Sequence, residues 1–95
     1  MIFPALLDAA DDPIFIGHPN AMAVYVYLIK RLDFGEFRRV RASRVAADRS
    51  IRPETAGAAL KMLRRHGYII RGKRVLEVFT YRLVFARKHD QGESA

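Results

Sequence analysis

Apolar residues recur along this chain at two different periods. Ala21, Val24, Tyr25, Leu28, Ile29 and Leu32 fall at i, i+3, i+4, i+7, i+8 and i+11, which is one stripe of a helix. The spacing predicts a helix over about 20–32, entered through His18-Pro19-Asn20, with proline suited to a first turn and Asn20 able to cap it. Met22, Val26 and Tyr27 lie off the stripe, so this helix is apolar nearly all round. A shorter helix is expected over 42–48 with Val45 and Ala46 facing inward, followed by the polar break Asp48-Arg49-Ser50 and an isolated apolar residue, Ile51. Pro53 then opens a third helix over 53–66, stopped by Gly67. On that helix Ala56, Ala59, Leu60 and Leu63 share one side, while Glu54, Ala58, Lys61 and Arg65 cluster opposite, flanked by Gly57 and Arg64.

After Gly67 the period shortens. Tyr68-Ile69-Ile70 and residues 75–84 are rich in β-branched and aromatic residues, and Arg71-Gly72-Lys73-Arg74 between them reads as a charged hairpin turn. Asp33-Phe34-Gly35-Glu36 reads as a turn, with a short extended segment over 37–41. Residues 1–17 form an arm with one helical turn, carrying Ile2, Phe3, Leu6 and Leu7 before the acidic Asp11-Asp12-Pro13. Residues 85–95 read as a polar C-terminal tail, frayed from His89 onward. The body of the fold is therefore expected over 18–84, mainly α with a small β-hairpin.

At 95 residues the chain is sized for one domain with a modest core. The absence of cysteine excludes disulfides, thiolate zinc sites and cysteine nucleophiles. No stretch approaches the roughly 20 apolar residues of a membrane span, and Asp8, Asp11 and Asp12 do not suit the basic start of a signal peptide, so the cytoplasm is the expected compartment. Net charge is +7 but unevenly placed: −2 over residues 1–33, +11 over 34–89 and −2 over 90–95. Cations concentrated in one segment point to a polyanionic partner for that segment.

The order of a helix, a short helix, a turn, a basic helix and a basic hairpin is similar to the winged helix-turn-helix regulators of bacteria and archaea, including domains related to plasmid replication initiators. The resemblance spans residues 18–83. It rests on His18-Pro19-Asn20 followed by Val24-Tyr25, on Val45-Ala46, Ile51, Arg52-Pro53-Glu54-Thr55, Ala59-Leu60-Lys61-Met62-Leu63 and Gly67-Tyr68-Ile69, and on Thr80-Tyr81-Arg82-Leu83. It implies a three-helix core plus a wing, with residues 53–66 as recognition helix in the major groove of double-stranded DNA and residues 68–84 as wing on the backbone. Arg52, Glu54 and Lys61 become the candidates for reading bases, and Arg44, Thr55, Arg64, Arg65, Arg71, Lys73 and Arg74 those for backbone phosphates. Ser50 departs from the glycine frequent in the family's turn, and Arg52 from its usual Ser or Thr cap. Gly57 and Ala58 stand where longer polar side chains often read bases, so specificity would be modest or depend on DNA shape. Gly57 has two readings: close approach of a sugar-phosphate backbone, or close packing against the preceding short helix, the second being slightly favoured.

The apolar surplus of the arm (Ile2, Phe3, Leu6, Leu7) and of the first helix (Met22, Val26, Tyr27) predicts a homodimer, with an arm folded back over its own first helix as the alternative. His18, His66 and His89 lack ligand-like neighbours, and Asp8, Asp11 and Asp12 read as a solvated acidic arm, so no metal, cofactor or small-molecule effector is expected. Ser43 and Ser50 have no nucleophile context, and no catalysis is expected. The resulting expectation is a dimeric transcriptional regulator. A winged-helix protein-interaction module without DNA binding and a replication-initiator-like domain are the competing readings.

Overall fold

The computed structural model describes residues 2–87. All 4 prolines of the chain open helical segments. Helix α1 spans Pro4–Asp11, a 3-10 turn spans Pro13–Phe15, α2 spans Pro19–Ile29, α3 spans Ala42–Arg49 and α4 spans Pro53–Arg65. A proline's fixed φ suits the first helical position, where its missing N–H is no loss. This rule also moves one cap. His18, not Asn20, is the N-cap of α2, because Pro19 already occupies the first turn.

Helices α2 and α3 both pack on α4, and the chain then leaves α4 through Gly67, whose φ of 80° is the left-handed conformation of a helix-ending glycine. A three-stranded antiparallel sheet follows, with β1 at Arg38–Arg39, β2 at Ile69–Val75 and β3 at Val78–Leu83 in the order β1-β3-β2. The described residues thus form a mixed α/β fold of four α-helices and one small sheet. The buried side of α4 is formed by Ala56, Ala59, Leu60 and Leu63, the four residues its periodicity marks. Val45 and Ala46 of α3 and Ala21, Val24, Tyr25 and Leu28 of α2 meet them. Leu28, Leu63, Ile69 and Leu83 are completely enclosed, each worth about 1.5–3 kcal/mol of apolar burial.

The hairpin turn is not at Arg71–Arg74. Val75 pairs with Val78, so the turn is Leu76-Glu77, and both residues have positive φ (52° and 70°) as a two-residue hairpin of this hand requires. Gly72 instead marks a bulge between Arg71 and Arg74, where Gly72 and Lys73 together face Thr80. A Cβ on Gly72 would come within 2.6 Å of both the Phe37 ring and the Thr80 hydroxyl. The glycine and its charged neighbours look like a turn in sequence, but here the glycine serves close strand packing.

The N-terminal segment is not a single-turn arm lacking contacts of its own. Phe3 is 1% exposed, wedged between the Phe34 ring at 4.9 Å and the Phe85 ring at 6.1 Å, and the Ala5 N–H donates to the Phe85 carbonyl at 2.9 Å. Phe15 packs on Tyr25 and Tyr68. Residues 85–87, expected to begin the tail, therefore help seat the N-terminal segment; the rest of the expected tail, with His89, lies outside the described residues. Within the chain, Phe3 and Ala5 meet Phe34 and Phe85, and only Phe15 of the 3-10 turn reaches Tyr25 of α2 among these contacts.

Candidate nucleic-acid interface

Between α4 and the sheet runs an open groove of about 550 Å³. Lys61 and Arg64 line it from α4, Arg71 from β2 and Arg41 from the segment entering α3, against one carboxylate, Glu77. Val40, Leu60, Val78, Phe79 and Tyr81 form its apolar surface. The Arg71 guanidinium lies over the Phe79 ring at 4.2 Å, a cation–π contact that holds an exposed charge at the groove wall. The side chains of Lys61, Arg64 and Arg41 have no ion-pair or hydrogen-bond partner among the described residues. The local field is positive, as anion binding needs.

Gly57 also lines this groove, and a Cβ there would meet nothing within 4 Å. Packing against α3 therefore does not explain this glycine, contrary to the favoured expectation. Gly57 costs α4 about 1 kcal/mol relative to alanine, and on the groove side its only structural effect is to leave the helix backbone open.

The other candidates are distributed more widely. Arg52 is the N-cap of α4 without a side-chain cap hydrogen bond, exposed, with its guanidinium 3.9 Å from Glu54, which is exposed as well. Arg65 is exposed at the last turn of α4. Thr55 faces away from the groove, half-buried beside His18, Pro19 and Asn20 at the start of α2. Lys73 and Arg74 lie on β2 rather than at the hairpin tip, and Arg74 is engaged by Glu77 at 3.6 Å. Arg44 lies on α3, 3.2 Å from Asp48.

Of the residues expected at a dimer surface, Phe3 and Tyr27 are buried within their own chain and Leu6 and Met22 are half-buried against the core. Tyr27 donates its hydroxyl proton to Asp48 and lies under the Arg31 guanidinium at 3.8 Å. Burial and the Asp48 bond raise the Tyr27 hydroxyl above its ordinary pKa, and the Tyr27 and Arg44 bonds hold Asp48 below the usual carboxylate range. Ile2, Leu7 and Val26 remain exposed, at 75%, 57% and 41%.

One contributor escaped the sequence reading. Arg41 looked like the end of an extended segment, and only the pairing of β1 with β3 brings it beside α4. Tyr27 has no local mark of its bond to Asp48, which lies 21 residues on. Among the described residues no group of His, Asp or Glu is arranged to hold a metal ion, and no helix is long and apolar enough to cross a membrane. No family model matches this chain, and neither the curated proteins nor the solved structures contain a match to it.

Proposed function

We propose that this chain is a winged helix-turn-helix module that binds double-stranded DNA. The order α2-β1-α3-α4-β2-β3 with sheet order β1-β3-β2 supports the winged-helix reading. The observation that carries the functional reading is the groove, where four cations from three elements surround one space with a single carboxylate. In this reading α4 enters the major groove with Lys61, Arg52 and Glu54 toward base edges, and Arg64, Arg71 and Arg41 take phosphates of the flanking strand. Gly57 lets that strand approach the helix. The competing protein-interaction reading calls for an apolar patch at this place, whereas the rim of the groove is cationic. Transcriptional regulation is the role proposed for such binding. Pairing of two copies, as part of the proposal, rests on Ile2, Leu7, Val26 and the half-buried Met22.

The test is a duplex titration at two salt concentrations, with sedimentation run on the same samples. Affinity should fall steeply with salt, because each phosphate contact releases counterions with a logarithmic slope of about 0.9. Absence of binding at low salt, or binding indifferent to salt, overturns the reading.

A further inference from the structure

Arg41 also lines a second cleft, of about 210 Å³, between the C-terminal end of α2, β1 and α3. Five arginines line it: Arg31, Arg38, Arg39, Arg41 and Arg44, with Asp48 as the carboxylate. The pairing is incomplete. Arg38 is held by Asp33 at 2.8 Å, while Arg44 and Arg31 share Asp48 at 3.2 and 3.9 Å. The side chains of Arg39 and Arg41 have no ion-pair or hydrogen-bond partner among the described residues. A further surface, lined by Arg39, Arg41, Ser43, Arg44 and Ala47, shares Arg39, Arg41 and Arg44 with this cleft. Arg41 lines all three.

Crowding like charges raises the energy of the folded chain, since guanidiniums remain protonated at any physiological pH. An anion placed among them removes that repulsion and accepts their hydrogen bonds. Continuity through Arg41 specifies the kind of anion. An isolated small anion would need only one of the clefts, whereas a repeating polyanion can run from one to the next.

We infer that the arginine cleft behind α3 binds the phosphate backbone of the same duplex beyond the stretch engaged by α4, so that the footprint reaches the end of α2. This rests on the DNA-binding reading and extends it to Arg31 and Arg39, which that reading does not use.

The experiment compares wild type with Arg31→Gln/Arg39→Gln on a duplex of about 20 bp, two helical turns, across a salt series. The charge-matched control is Lys30→Gln/Arg49→Gln, whose residues do not line the cleft. The cleft variant should lower affinity and make the logarithmic salt dependence shallower by about 1.8, or about 0.9 for each phosphate that no longer meets a cation. The control should keep the wild-type slope. An unchanged slope in the cleft variant overturns the inference and leaves the α4 reading standing. An equal change in the control also overturns it, by showing a general field rather than contact. A wild-type chain that binds no duplex overturns both readings. Arg39→Gln alone, expected to lower the slope by about 0.9, keeps the test open if the Arg31 change disturbs its packing on Tyr27.

Discussion

The Tyr68 hydroxyl donates a 2.6 Å hydrogen bond to the Asp12 carboxylate, joining the N-terminal segment to the start of β2 across 56 residues of chain. Arg87 completes the group, donating to the Tyr68 oxygen at 2.8 Å and approaching Asp12 at 3.6 Å. Burial alone would raise the Asp12 carboxyl; the Tyr68 and Ile14 hydrogen bonds and the Arg87 charge hold it below its ordinary 3.8.

Stability should therefore depend on pH at both ends. With a native pKa below the unfolded value of 3.8, the Asp12 contribution is complete above about pH 5 and is lost as pH falls through the native value. Burial raises the Tyr25 hydroxyl to about 12, so its contribution is complete below about pH 10 and is lost as pH rises through 12. Urea unfolding across the range tests both signs. Tyr68→Phe should cost about 1–3 kcal/mol at neutral pH, as a bond to a buried charged group does, and should flatten the acid limb. An unchanged acid limb would remove the pair as its origin.

Ser50 caps α3 in the left-handed region, at φ 56° and ψ 44°. Its Cβ pays the penalty that glycine escapes, roughly 1 kcal/mol. Ser50→Gly should raise the melting temperature by about 4–8 °C, with duplex affinity unchanged. Thermal unfolding measures the shift, and no increase would show that the Ser50 conformation carries no such cost.

Gly57→Ala should separate stability from function. Nothing lies within 4 Å of the added carbon, so α4 should gain about 1 kcal/mol. If a DNA backbone passes close to this position, affinity should fall in the same variant. Denaturant midpoints and duplex titration together read the two effects. A variant more stable and equally tight would remove close approach as the reason for the glycine.

Local rules carried much of the fold. The α4 stripe Ala56, Ala59, Leu60 and Leu63 is buried as its spacing requires, and Pro53 and Gly67 bound the helix as proline and glycine do. Ser50 stood out in sequence as an unusual residue for its turn, and it occupies the left-handed position. The hairpin was legible as an element but not in its turn. Gly72 can satisfy either a turn or a tight strand crossing, and only Phe37 and Thr80 distinguish them.

The candidate site divides in the same way. Lys61, Arg64 and Arg71 could be named from charge and periodicity, because a polar helix face and a basic hairpin are local patterns. Arg41 joined them only when β1 paired with β3, and Thr55 left them because α2 begins beside it.

Sequence by itself determined where helices begin, which of their faces are apolar and where positive charge accumulates, since these depend on residues within a few positions of one another. Tertiary structure alone decided which apolar faces the chain covers for itself. Phe3 and Tyr27 belong to the same apolar surplus as Leu7 and Val26, yet the first two are enclosed, beside Phe34, Phe85 and Asp48, and the others face outward. Apolar burial is non-directional, so a side chain's own pattern states only that it favours cover; the partner that supplies it is set by packing between distant segments.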